Sequence, residues 1–319
     1  MTGVRVLITG GAGFLGSHVA RALVAHPGVD LVVAGDVRRP EHPIESVAYE
    51  ECDVTRAGAL TPLLTRHAID VVVHLAAIVS PGRDHDMEYR VDVDGSRNVL
   101  EACIEAGVRR IVVSSSGAAY GYHSDNPEWL TESDPLHGND AFPYSKHKRL
   151  VEQLLGAYRE MHPELEQVVF RIGTILGPTV QNQITALWDS SRILAIRGSA
   201  SPFVFIWVDD VAAAMARAAT DGPPGIYNVA GDGCLSVQQI AQRLGKPLLT
   251  LPAGLLAFAL RVGQALRLTV HGPEKVVFLQ HRPVLANTAL RQDFGFTPAM
   301  TSAEAFEAYL ASHPGVARG

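Results

Sequence analysis

The chain is poor in the features that mark whole classes of protein. Its three cysteines, Cys52, Cys103 and Cys234, are too few and too scattered for a disulfide framework, which points to a reducing compartment. Basic charge is not in excess. With 27 Lys and Arg against 33 Asp and Glu the net charge is −6, so no nucleic-acid partner is expected. The greasiest late stretch, 251–270, is interrupted by Arg261 and Arg267 and does not read as a membrane span. A strand starts after three residues, so no secretory leader is expected, and the predicted location is the cytoplasm. Internal repeats and low-complexity tracts are missing. The 13 histidines show no ligand spacing, and no metal site is predicted.

What is present is a glycine turn in a specific setting. Arg5-Val6-Leu7-Ile8-Thr9 reads as a buried strand, and Gly10, Gly13 and Gly16 follow it, with Phe14 and Leu15 between the last two. Residues 17–25 have helical spacing, and a second apolar run, 31–35, ends at Asp36, which lies 20 residues after Gly16. Gly10 and Gly13 let backbone approach a pyrophosphate closely, and Gly16 lets the helix press on the strand. The helix start offers its positive dipole end and unpaired N–H groups to the anion. Asp36 stands where a carboxylate accepts from both adenosine ribose hydroxyls. Such a carboxylate repels the 2′-phosphate of NADP, so NAD is the expected cofactor, although Arg38 and Arg39 follow at once and can grip a phosphate.

The alternation continues: apolar strands at 70–77, 110–116 and 168–172, and helices at 94–106, ended by Gly107, and 144–161. This predicts an α/β fold, a doubly wound parallel sheet with ligands at the carboxyl ends of its strands. Beyond residue 178 the pattern loosens into helical pieces near 183–196 and 236–244, an apolar stretch at 253–268, and strands at 203–211 and 225–229. The expected division is a nucleotide-binding domain of residues 1–177, to which 203–231 returns, and a smaller substrate domain of 178–202 and 232–319. The loop 120–143, with Tyr122, His123 and Trp129, is long enough to suggest a lid.

Three elements meet at strand ends: the glycine turn, Ser114-Ser115-Ser116, and Tyr144-Ser145-Lys146-His147-Lys148. Tyr144 and Lys148 are four apart, on one helix face. An ammonium group within a few ångströms favours phenolate over phenol, which fits Tyr144 to move a proton while Ser116 holds the substrate oxygen.

On these residues the chain resembles the extended short-chain dehydrogenase/reductase superfamily, its NAD-dependent epimerase/dehydratase branch. The matching pieces include residues 9–16, Cys52-Asp53-Val54, His74-Leu75-Ala76-Ala77, residues 112–116, Tyr144 with Lys148, residues 171–178, Trp207-Val208-Asp209-Asp210-Val211 and Tyr227-Asn228-Val229. The resemblance implies a Rossmann fold with a smaller C-terminal substrate domain, a catalytic Ser116, Tyr144 and Lys148, and a Lys148 that also holds the nicotinamide ribose. It further implies that Asp53 and Val54 flank adenine, that Leu75, Ala76 and Ala77 line the cofactor, and that Ser114, Ile172, Gly173 and Thr174 reach it. It also implies a homodimer through the helices near 95–106 and 144–160, with Cys103, Leu150, Leu154 and Ala157 on the shared face.

The chain departs from the sugar-nucleotide members at two diphosphate markers. Thr174 stands for an asparagine and Phe203 for an arginine, with Arg192, Arg197 and Arg282 as available substitutes. The leading expectation is therefore an NAD-dependent oxidoreductase acting on a secondary alcohol or ketone without a diphosphate. Its small-molecule pocket is expected to be walled by the Trp207 side and by 253–268. A nucleotide-sugar epimerase or dehydratase is the alternative, and a non-enzymatic NAD sensor a third reading.

Overall fold

The computed structural model describes residues 3–79, 84–266, 272 and 274–316. The first half lays down β1 (Val4–Thr9), α1 (Phe14–Val24), β2 (Val29–Asp36), β3 (Val47–Glu51), α2 (Thr61–Arg66) and β4 (Val71–His74). It continues with α3 (His85–Tyr89), a single π-helical turn (Arg90–Asp94), α4 (Gly95–Ala106), β5 (Arg110–Ser116), α5 (Pro143–Met161) and β6 (Glu166–Ile172). The second half holds β7 (Thr174–Leu176), β8 (Ile193–Ile196), β9 (Phe205–Trp207), α6 (Val208–Thr220), β10 (Gly225–Val229), α7 (Val237–Arg243) and β11 (Leu248–Leu251). Helices α8 (Ala253–Ala265), α9 (Glu274–Gln280), α10 (Thr288–Gln292) and α11 (Ser302–Ser312) complete it.

The main sheet has seven parallel strands in the order β10-β6-β5-β4-β1-β2-β3. Alternation along each strand feeds two packed layers. Val6 and Ile8 join α1 and α6 residues such as Val19, Leu23, Val211 and Met215 on one face. Leu7 joins Val99, Leu100, Cys103 and Leu155 of α4 and α5 on the other. From β1 the chain runs outward to β2 and β3, then returns to β4 on β1's other side. The crevice at this reversal, beyond Thr9 and His74, is where an open α/β sheet binds ligands. The pairs β7–β9 and β8–β11 form two small parallel sheets. A second aromatic core, Trp188 with Phe203, Phe205, Phe306 and Tyr309, supports them.

Several expectations are corrected. Residues 183–196 are not helical: one 3-10 turn, Thr185–Trp188, is followed by strand β8. The Asn182 side chain accepts from the Ile184 and Thr185 N–H groups and makes a local turn, and β8 then pairs with β11. The run 203–211 is strand only to Trp207, because Asp209 and Asp210 supply the acidic first turn of α6 and Val208, Val211, Ala212 and Met215 bury one helical face. Cys103 belongs to the inner layer and is completely buried, so it offers nothing to a partner chain. Strands β3 and β11 and helix α2 carry no expectation from the sequence. Helix α8 buries none of its residues, and Leu255 and Phe258 are 55% and 63% exposed.

The segment 120–143 is bolted to the sheet. The Arg171 guanidinium donates from Nε and Nη2 to both carboxylate oxygens of Glu152, at 2.9 and 2.7 Å to Oε2, and from Nη1 to the Tyr120 hydroxyl and the Glu132 carbonyl. The Tyr120 hydroxyl lies 2.8 Å from the Thr131 carbonyl and 2.9 Å from Asn228 Oδ1. Ser115 Oγ also donates to Glu152, at 2.5 Å. Arg171→Met leaves a buried carboxylate without its cation, and urea unfolding is expected to show a loss of about 3–5 kcal/mol. A loss below about 1 kcal/mol would show that the pair is dispensable.

Candidate active site

One cavity of about 670 Å³ opens at the carboxyl ends of β1, β2, β4, β5 and β6. Its wall contains Gly10, Gly13, Phe14, Leu15, Gly16, Asp36, Arg38, Asp53, Val54, Leu75, Ala76, Ala77, Ser114, Ser116, Tyr144, Lys148, Ile172, Gly173 and Thr174, the residues given catalytic or cofactor-binding roles above. The cradle at one end leaves no room for side chains. Gly10 holds φ +70°, and a Cβ there would come within 2.9 Å of the Ala76 nitrogen; at Gly16 it would strike the Gly10 carbonyl oxygen. Gly13 caps α1 in extended backbone with no side-chain cap, so the first N–H groups of the helix stay uncovered. These features fit a pyrophosphate.

Asp36 ends β2 beside the cradle. Its Oδ2 accepts from the Ala12 N–H at 3.1 Å and its Oδ1 from the Arg38 N–H at 3.0 Å, which ties the glycine turn to the end of β2. The Asp53 carboxyl is held below its ordinary range first by the Thr55 hydroxyl, 2.7 Å away. Cys52 also lines the cavity, but burial, and then the charges of Asp36 and Asp53, push its thiol up to about 12 and keep it protonated. Asn98 donates to the Val54 carbonyl at 2.8 Å and fixes that wall.

Towards the middle, Lys148 Nζ donates to the Ser114 carbonyl at 2.8 Å and lies 5.8 Å from the centre of the Tyr144 ring. Pro143 opens α5 at its first turn, so Tyr144 leads the helix and Lys148 follows one turn later on the same side. Ser116 Oγ accepts from the Ala118 N–H at 3.2 Å, which leaves its hydroxyl hydrogen to donate elsewhere.

The far end is an aromatic chamber that sequence reasoning largely missed. Phe142 and Phe278 stack at 5.8 Å, and Tyr122 meets both rings edge-on at 5.2 Å. The Arg282 guanidinium lies 3.7 Å from the Phe203 ring centre and donates from Nη1 to the Ser201 carbonyl and hydroxyl, both at 2.9 Å. Burial holds this guanidinium down to about 9. Phe203, standing where an arginine was expected, is thus the platform for an arginine from elsewhere. Arg192 and Arg197 are exposed and lie off the cavity wall. Among the described residues, neither Trp207 nor the 253–266 segment lines the cavity, so the expected apolar wall comes instead from Tyr122, Phe142, Phe203, Phe278 and Leu285; residues 267 and 268 lie outside the described residues. His123 and Trp129 also lie off the wall.

A buried line of hydrogen bonds runs under the cofactor end. Ser96 Oγ donates to the Asp92 carbonyl, so it accepts from His74 Nε2 at 3.0 Å, and His74 Nδ1 then accepts from Thr9 Oγ1 at 2.7 Å. Thr9 Oγ1 in turn accepts from the Ala76 N–H at 3.4 Å. Burial, and then the nearby Lys148 charge, hold His74 down to about 4 and neutral.

Glycine cradle, acidic strand end and Tyr–Lys pair on one cavity define a nucleotide-cofactor enzyme on a doubly wound sheet. The chain belongs to the NAD dependent epimerase/dehydratase family, whose model matches residues 6–230. It is similar to an uncharacterized protein of Mycobacterium tuberculosis, 25% identical over 96% of this chain and 83% of that protein. A UDP-glucose 4-epimerase of Erwinia amylovora is 29% identical over 56% of each chain. In fold it resembles the Bordetella bronchiseptica enzyme WbmG in complex with NAD and UDP (TM-score 0.75, 20% identity, 99% and 96% of the chains covered). It also resembles a Thermus thermophilus UDP-glucose 4-epimerase in complex with NAD (TM-score 0.76, 24% identity, 98% and 99% covered). The protein is an NAD-dependent enzyme.

The state of His74 carries a pH signature. Its unfolded form takes up a proton near 6.5 and its folded form only near 4, so stability is complete above 6.5 and is lost as pH falls towards 4. Thermal or urea unfolding of wild type against His74→Gln is expected to show an extra slope of up to about 1.4 kcal/mol per pH unit in the wild type across that window. Parallel profiles would contradict a neutral buried His74.

Proposed function

We propose that the protein is an NAD-dependent oxidoreductase that interconverts a secondary alcohol and its ketone, with Ser116, Tyr144 and Lys148 as its catalytic residues. The observation carrying this reading is that all three line the cavity that also contains the glycine cradle, with Lys148 anchored at 2.8 Å to the strand that ends in Ser116. Gly10, Gly13 and Gly16 would hold the pyrophosphate, Asp36 the adenosine ribose, and Lys148 the nicotinamide ribose. Bound NAD supplies the acceptor or donor for hydride. Tyr144 takes the proton of the substrate hydroxyl during oxidation and returns it during reduction. The Lys148 ammonium lies 5.8 Å from the centre of its ring, on the same face of α5. The Ser116 hydroxyl donates to the substrate oxygen and orients its carbon. The chamber of Tyr122, Phe142, Phe203 and Phe278 suits an apolar substrate body. We also place the protein in the cytoplasm. Among the described residues no helix is long and apolar enough to cross a membrane.

Arg282 favours a second reading. A guanidinium on the chamber wall is a partner for an anionic group, as in a nucleotide sugar epimerised without net NADH release. Tyr144→Phe is expected to lower turnover by about 10²-fold or more while NAD affinity measured by calorimetry stays near wild type. Near wild-type turnover of the variant would overturn the assignment. UDP-glucose titrated into NAD-loaded protein separates the readings: micromolar binding that Arg282→Leu abolishes establishes the second, and its absence, with NADH formed from simple secondary alcohols, establishes the first.

We further propose a homodimer through α4 and α5, on which the half-buried Leu150 and Leu154 and the exposed Ala157 form an apolar strip. Sedimentation at micromolar concentration is expected to show the dimer, and a lone monomer would refute it.

A further inference from the structure

Asp92 and His147 form a buried pair that the proposed chemistry does not use. Asp92 lies in the single π-helical turn between α3 and α4, and His147 lies on α5 immediately before Lys148. Their side chains are 4% and 6% exposed, and His147 Nδ1 lies 3.0 Å from Asp92 Oδ2. An ionised carboxylate only accepts, so Nδ1 carries the hydrogen and donates. The other oxygen, Oδ1, accepts from the Ile78 N–H at 2.8 Å. Tyr89 meets the His147 ring edge-on at 5.6 Å and fixes its plane. The Asp92 carbonyl receives the Ser96 hydroxyl and so joins the line that runs through His74 to Thr9.

One carboxylate therefore clamps two walls of the cavity. Ile78 ends the stretch Leu75-Ala76-Ala77 along the cofactor end, and His147 belongs to the helical turn that presents Tyr144 and Lys148. A continuous α-helix would place its side chains at regular 100° steps; the π turn adds one residue locally and shifts the facing of those that follow. Such turns are rare, and a buried carboxylate at one that bonds two separate elements is costly unless fully satisfied, as this one is.

We infer that Asp92 and His147 are positioning residues that set the separation between the 75–79 wall and the Lys148 turn, and through it the fit of NAD. The inference rests on the role given above to Lys148. It predicts that breaking the clamp loosens the cofactor even where the fold survives.

The test is calorimetric NAD affinity of the full-length protein together with its thermal midpoint. His147→Leu, similar in bulk and unable to donate, is expected to weaken NAD at least fivefold. His147→Asn keeps a side-chain N–H near the place of Nδ1 and is expected to recover NAD affinity to within fivefold of wild type. The double variant Asp92→Leu, His147→Leu replaces a buried hydrogen-bonded pair by apolar packing and is expected to regain the thermal midpoint while NAD stays at least fivefold weaker, because the Ile78 N–H has lost its acceptor. A His147→Leu protein within fivefold of wild type overturns the inference, and so does a double variant that regains stability and NAD affinity together, since the pair would then act through folding alone. Wild-type protein that binds no NAD sinks the role of Lys148, and this inference with it. Wild-type binding with unaltered His147→Leu binding sinks this inference only.

Discussion

The buried contact between Arg171 and Glu152 is the one on which the arrangement of the site depends. Glu152 lies one helical turn beyond Lys148 on α5, its oxygen takes the hydroxyl of Ser115, and Arg171 immediately precedes the end of β6. A single carboxylate thus fixes the helix that carries Tyr144 and Lys148 against the strand that ends in Ser116. Removing two charges from water costs several kcal/mol per ion, and only complete satisfaction offsets it. Here it is nearly complete: the guanidinium also reaches the Tyr120 hydroxyl and the Glu132 carbonyl, and Asn228 secures the same loop through the Leu130 carbonyl. The long segment after β5 consequently follows a defined path over the sheet. Its Tyr122 and Phe142 enter the cavity as rigid rings and not as parts of an open flap.

The cofactor end was legible in sequence because local rules write it. Close backbone approach demands glycine at Gly10 and Gly16, a helix start follows at once, and the acid closes the next buried strand, all within one βαβ unit. Tyr144 and Lys148 were legible for the same reason, since four residues on a helix span one turn. The aromatic chamber was not. Phe142 and Phe278 lie far apart in the chain, and nothing in either neighbourhood distinguishes a ring on a cavity wall from a ring in a core. Asp92 and His147 escaped for a related reason: 55 residues separate them, and no periodicity marks a π turn in advance. The failures in the second half were failures of period. Trp207-Val208-Asp209-Asp210-Val211 has the composition of a strand, yet two acids after an apolar residue are as apt to start a helix, and α6 begins there.

Arg282 is stacked on Phe203, its Nη1 is taken by Ser201, and its Nε is buried without a partner, so one edge of the fork is committed to the protein. An arginine of this kind is less adaptable than a surface one, because burial disfavours its charge and its plane cannot rotate away from the ring. In sequence, the Erwinia amylovora UDP-glucose 4-epimerase matches 56% of this chain, whereas in fold the Thermus thermophilus one covers 98% of it.

Strand β10 is the last to join the main sheet, after the chain has already left it to build β7, β8 and β9. The main sheet and the two small sheets are therefore interleaved along the chain and are not joined end to end. No single cut divides the protein into halves that each keep their sheet: a chain ended before β10 loses the edge strand paired with β6, and with it Asn228 beneath the loop of Tyr120. Exchange of the elements around the small sheets between members of the family, by recombination in nature or at the bench, thus requires at least two joints placed together. Variation on this scaffold is reached more readily by point changes along the cavity wall than by transplanting a block of the chain.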